Sequence, residues 1–112
     1  MDYSDPPKEI IDNLLNKLNL SRYDEVLSEI SIINDDFPNS YALSSLSGVA
    51  YSNLKKFNQA LISFQNAVSI SPDFPDAQNN LGKIFFEIGQ IDKSINCYNE
   101  AIRLNEKFSL AH

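Results

Sequence analysis

Apolar residues recur at helical spacing along almost the whole chain. Ile10, Ile11, Leu14, Leu15 and Leu18 form a first stripe, and Tyr23, Val26, Leu27, Ile30 and Ile33 a second. Leu43, Leu46, Ala50, Tyr51 and Leu54 follow, then Phe57, Ala60, Leu61, Phe64, Ala67 and Val68. Ala77, Leu81, Ile84, Phe85 and Ile88 make the fifth stripe; Ile91, Ile95, Tyr98, Ala101, Ile102 and Leu104 make the sixth. Six helices of roughly 12–15 residues joined by short turns are therefore predicted, and no alternating pattern competes with them. The punctuation agrees. Asp5-Pro6-Pro7 is expected to open the first helix, with Asp5 as a cap and proline in a first turn that loses no intrahelical bond. Ser21 reads as the next N-cap, followed by Asp24 and Glu25 where the helix dipole favours acids. Phe37-Pro38-Asn39-Ser40 and Ser71-Pro72-Asp73-Phe74-Pro75 break the pattern, because proline cannot continue a helix. Lys55-Lys56 marks one turn and Gly89 a left-handed helix stop.

The stripes also repeat one another at a step of 34 residues. Gly82 answers to Gly48, Phe85 to Tyr51, Ile91 to Phe57, Tyr98 to Phe64 and Ala101 to Ala67. One more step takes Phe57 to Tyr23, Phe64 to Ile30, Ala67 to Ile33 and Pro72 to Pro38. Small, aromatic and apolar residues in register are the mark of stacked helix pairs, each completing its core against the next.

Composition narrows the functional classes. The chain has 112 residues and a formal charge of −6. Residues 1–40 hold nine acids against three bases and residues 41–112 six of each, so the whole excess sits in the first third. An acidic chain without a run of Lys or Arg is a poor binder of nucleic acid or of anionic membranes, which need clustered positive charge. The single cysteine excludes an internal disulfide, and with the single histidine it leaves no zinc-type ligand set. The start, Met1-Asp2-Tyr3-Ser4-Asp5, has neither the basic nor the apolar part of a signal peptide, and no apolar run approaches membrane-spanning length. A cytoplasmic protein without cofactor or metal is expected.

No constellation supports catalysis. Ser21, Ser45 and His112 have no triad context, and Gly48, Gly82 and Gly89 are too scattered for a phosphate loop. Cys97 lies beside the packed stripe with no basic neighbour, which points to packing rather than reactivity. Asn19-Leu20-Ser21 spells a glycosylation acceptor without a secretory signal, and Pro72-Asp73-Phe74-Pro75 is explained by the turn it makes.

The run Asn80-Leu81-Gly82, Phe85, Gly89, Ser94, Tyr98 and Ala101 resembles the tetratricopeptide repeat, whose period is 34. The resemblance implies an all-α right-handed superhelical solenoid of three helix-turn-helix units: a lead-in over 1–6, a degenerate first unit over 7–40, and units over 41–74 and 75–108. Residues 109–112 are then expected to start a seventh helix, as in a fragment of a longer array or a truncated chain. The first unit departs most, with Asn13-Leu14 where Leu-Gly is usual and Lys17 in an aromatic position. The third has Glu106 where proline is usual. Gly48 and Gly82 are expected at close helix crossings, with Tyr51, Phe64, Phe85 and Tyr98 filling the spaces between helices.

Members of that family take peptides or partner helices in a concave groove lined by the first helix of each unit. The face of those helices opposite the apolar stripe here includes Ile11, Leu15, Ser45, Leu46, Val49, Asn53, Asn79, Asn80, Lys83 and Phe86. The asparagines suit an extended peptide backbone, and Ile11, Leu15, Leu46 and Val49 make one end apolar. The cationic clamp by which some members hold acidic chaperone tails is missing: the matching positions read Ile11, Leu15, Leu46, Asp76 and Asn80. The resemblance thus implies a non-catalytic protein-interaction module with a peptide or protein partner. Its alternative is the docking arm of a larger glycosyltransferase, sulfotransferase or methyltransferase. The last helix is expected to leave Ile95 and Ile102 exposed and open to self-association.

Overall fold

A computed structural model describes residues 5–111, with side chains described through Lys107. Its elements are α1 (Lys8–Asn19), α2 (Tyr23–Ile33), a short 3-10 turn (Asn34–Asp36), α3 (Tyr41–Asn53), α4 (Phe57–Ile70), α5 (Pro75–Glu87) and α6 (Ile91–Ala111). Consecutive helices pack as neighbours, α3 on α4 and α5 on α6 most closely, with α2 on α3 and α4 on α5 joining the pairs. The result is an all-α right-handed solenoid.

Two apolar clusters form the core. Leu14, Val26, Ile30, Leu43, Leu46 and Ala50 join α1, α2 and α3, with Tyr23 and Leu27 packed at the edge. Ala60, Phe64, Leu81, Ile84 and Phe85 join α4 to α5, with Phe57, Leu61 and Val68 packed against them. Each cluster spans the boundary between successive helix pairs, so no pair buries its apolar residues alone.

The turns inside the pairs share one device. Ser21, Lys55 and Gly89, one repeat step apart, all adopt left-handed backbone (φ 62°, 64° and 84°). After each, the next amide reaches back over the helix end: Arg22 N–H to Lys17 O, Lys56 N–H to Tyr51 O and Gln90 N–H to Phe85 O, at 2.9, 2.9 and 2.8 Å. These bonds satisfy carbonyls that the helix end would otherwise orphan, as in a Schellman stop. Ser21 is therefore a helix stop and not the N-cap expected of it; the N-cap of α2 is Arg22, without a side-chain cap. The sequence pattern identified the left-handed role only where glycine advertises it.

Asp5 is also differently employed. The N-cap of α1 is Pro7 and receives no side-chain bond. Asp5 instead accepts from Ser40 Oγ and, at 3.1 Å, from Ala42 N–H, while Ser40 Oγ accepts from Leu43 N–H at 3.0 Å. The lead-in thus caps α3, across the first helix pair, and the buried Ser40 relays the cap. A charged acceptor at a helix N-terminus gains from the dipole wherever in the chain it comes from.

The expected seventh helix is not a separate element. Residues 109–111 continue α6, and His112 lies outside the described residues, as do residues 1–4 of the expected lead-in. With Glu106 in place of a proline and no glycine nearby, nothing in the sequence stops the helix near Leu104.

Candidate functional site

The helix crossings set the spacing of the surfaces available for binding. At Gly48 a methyl group would fall 2.4 Å from Phe64 Cε1, so the ring occupies the notch that the missing side chain leaves. At Gly82 it would lie 3.2 Å from both Cys97 Cβ and the Tyr98 ring. Ser94, buried on α6, donates its hydroxyl to Gly82 O at 2.8 Å and ties the same crossing. Cys97 is half-buried, and burial pushes its thiol pKa up, which disfavours the reactive thiolate.

The first helices of the pairs, α1, α3 and α5, carry the candidate groove, and α1 packs directly on α3. Ile11, Ser45, Val49, Asn79 and Asn80 are half-buried; Asn53 and Lys83 are exposed. Two large apolar side chains stand out in solvent, Leu15 at 42% and Phe86 at 59% exposure. Leu46 does not belong with them: it is buried in the first core cluster and cannot line a groove. Its place in the third apolar stripe prevails over the groove reading, because α1, α2 and α3 close one cluster around it. Asn53 spends one amide proton on its own helix, donating to Val49 O at 2.9 Å. Ser45 Oγ is buried and has no hydrogen-bond partner among the described residues.

Two cavities lie away from these residues. One, of about 460 Å³, opens between α2 and α4 and is lined by Leu27, Ser31, Ser44, Ser47, Ile62 and Asn66, among others. The other, of about 330 Å³, is an apolar cleft of Ile10, Leu14, Ile32 and Ile33 rimmed by Glu9, Asn13 and Glu29. They are one feature seen twice: Glu9, Ile10, Asn13, Glu29 and Ile32 stand one repeat step before Leu43, Ser44, Ser47, Ser63 and Asn66. In the sequence these crevices gave no signal, because their walls mix core and surface positions. Among the described residues, no group of three His, Cys, Asp or Glu could hold a metal ion, and no helix is long and apolar enough to cross a membrane.

Paired antiparallel helices, glycine notches filled by aromatic rings and left-handed stops in register define a helical-repeat protein. The family models agree: one described as tetratricopeptide repeat matches residues 75–108, and one described as TPR repeat matches residues 48–89. The chain belongs to the tetratricopeptide-repeat family. Among curated protein sequences none matches it. Among solved structures it is similar to MamA 41-end from Desulfovibrio magneticus RS-1, with a TM-score of 0.80 at 16% identity over 84% of this chain and 53% of that one. A structure titled MamA MSR-1 C2 gives 0.77 at 20% identity over 84% and 54%. Another, titled Crystal structure of MamA, gives 0.80 at 14% over 86% and 56%. At such identities the likeness concerns the fold, and the chain spans little more than half the length of these structures.

Proposed function

We propose that the chain is a non-catalytic scaffold that binds a peptide or partner helix along the face of α1, α3 and α5. The repeat fold itself supports a protein-interaction role. The observation that carries the groove reading is the exposure of Leu15 and Phe86 on helices whose neighbouring Ile11, Ser45, Val49, Asn79 and Asn80 are half-buried. Large apolar groups at either end of a partly recessed face suit anchoring of a ligand's side chains. The amides of the half-buried Asn79 and Asn80 suit its backbone. Lys83 at the rim favours an acidic residue in the ligand. No observation favours the docking-arm alternative over this scaffold.

The test is a selection of peptides on the wild-type protein, followed by titration of the winners on two variants. Asn80→Ala with Phe86→Ala should weaken binding about tenfold or more, whereas Ile95→Glu, on another face, should leave it unchanged. Equal affinity for wild type and the groove variant would remove the groove from the account.

A further inference from the structure

The apolar cleft of α1 and α2 occupies the same place in the repeat as the larger crevice, but its lining is of a different character. Five lining residues depart from the rest of the array together. Leu14 stands where the next two units have Gly48 and Gly82. Ile10 answers to Ser44 and Gln78, and Ile32 to Asn66 and Glu100, so apolar residues replace polar ones. Glu9 answers to Leu43 and Ala77, and Glu29 to Ser63 and Cys97, so acids replace uncharged residues. Stacking of helix pairs demands none of these exchanges, since the other units stack without them. Their sum is a cleft of about 330 Å³ with an aliphatic floor and an acidic rim. Binding pockets usually enclose roughly 300–1,000 Å³. Ile32, at its lip, is 76% exposed, the most of any large apolar side chain among the described residues. Exposed apolar surface rimmed by polar groups marks a place of contact with another molecule.

Charge selects the occupant. Residues 1–40 carry nine acids against three bases. Glu29 is paired with Lys17, and Lys8 with Asp12, but Glu9 takes part in no ion pair among the described residues. The same holds for Asp35 and Asp36, on the 3-10 turn that begins directly after the lining residue Ile33. One and two steps along the repeat, Asp35 and Asp36 answer to Ser69 and Ile70, then to Arg103 and Leu104, so these acids too belong to the first unit alone. Such a field attracts cations and repels acidic segments. A helix stacked here in repeat register fits poorly. Stacking of that kind buries the position of Glu9, as it buries Leu43 and Ala77 to 1% exposure each, and would strand a carboxylate against an apolar seam.

We propose that the cleft docks a basic peptide segment. One large apolar side chain of the segment seats on Ile10, Leu14, Ile32 and Ile33, and flanking Lys or Arg side chains face Glu9 and the acids of the 3-10 turn. The site shares no residue with the groove face and stands independently of it. The apolar anchor supplies most of the affinity. The acids set the orientation of the segment and reject acidic competitors.

The experiment is a nuclear magnetic resonance titration of the 112-residue chain with the end-blocked peptide Lys-Lys-Leu-Phe-Lys-Lys, up to about 1 mM. The expected result is a set of saturable amide shifts centred on α1 and α2, with an affinity that falls several-fold between about 20 and 200 mM salt. Ile32→Ser should weaken binding about tenfold and Glu9→Lys about fivefold. Both residues are exposed, so helical circular dichroism should not change. Phe86→Ala, on the groove face, should bind like wild type. Failure of saturation at the highest concentration would overturn the proposal. Equal binding of the analogue with Glu in place of Lys would show that charge does not select the occupant. Equal binding of the analogue with Ser in place of Leu and Phe would show that nothing seats in the cleft. Shifts centred on α3 and α5 and lost in Phe86→Ala would assign the peptide to the groove. A mass that rises with concentration in sedimentation velocity for wild type, but not for Ile32→Ser, would make a second copy of the chain the occupant.

Discussion

The first helix pair and the two that follow solve the same crossing with opposite distributions of bulk. In α3–α4 and α5–α6 the first helix is pared to glycine, at Gly48 and Gly82, and the second supplies a ring, Phe64 or Tyr98. In α1–α2 the first helix supplies the bulk, the fully buried Leu14, and the second answers with Ile30. A ring slotted into a glycine notch lets backbones approach closely, and those two pairs are indeed the most closely packed. A leucine at the crossing holds the helices further apart, and the apolar cleft of Ile10, Leu14, Ile32 and Ile33 opens beside it. Charge fills a place that aromatics hold elsewhere. Lys17 stands where the other pairs have Tyr51 and Phe85, and forms a partly buried ion pair with Glu29 of α2. The lesson is that a repeat register constrains total volume at a crossing more tightly than it constrains which helix provides it.

Removing the bulk from the first pair gives the largest expected effect. Leu14→Ala should cost about 3 kcal/mol, because the adjoining cleft lets the cavity open rather than collapse. In a quasi-linear array the loss should be local. Hydrogen exchange should show protection falling across α1 and α2 while α5 and α6 hold theirs; a uniform fall would mean that the pairs do not differ in independence.

Adding bulk to the glycine notches should separate the second pair from the third. Gly48→Ala drives a methyl into the Phe64 ring and should cost about 2 kcal/mol even after the helix-propensity gain. Gly82→Ala meets its neighbours at 3.2 Å, a contact that a small shift relieves, so propensity and crowding should cancel to within about 1 kcal/mol. Denaturant midpoints of the two variants would check this, and equal losses would show that the notches are not graded as the distances indicate.

The smallest effect concerns the stops. The third pair turns on Gly89, whereas the first two hold Ser21 and Lys55 in the same left-handed backbone. Lys55→Gly should therefore stabilise the protein by up to about 1 kcal/mol by relieving the contact between Cβ and the following carbonyl. An unchanged or lower melting temperature would mean that the lysine side chain compensates for its backbone.

Much of the candidate site was legible because position on a helix follows from spacing. Leu15 and Phe86 fall on the face opposite the apolar stripe, and Ile95 and Ile102 are expected exposed as part of the last helix; all four are exposed. Leu46 reads both ways, in the third apolar stripe and on the groove face, and the cluster shared by α1, α2 and α3 takes it into the core. The crevices were invisible because their walls come from more than one helix, α1 and α2 for the smaller and α2, α3 and α4 for the larger, and no single helix encodes the gap.

The sequence by itself determined six apolar stripes, their register at 34 residues and the glycine–aromatic crossings. These are properties of local spacing, and spacing is written residue by residue. Only the tertiary structure decided that Asp5 caps α3 instead of α1, that Ser21 and Lys55 turn left-handed, and that α6 runs on to Ala111. In the first two, a polar group or a backbone angle serves whichever neighbour folding brings close. The chain lists the donors, acceptors and turn residues, but packing alone chooses their partners.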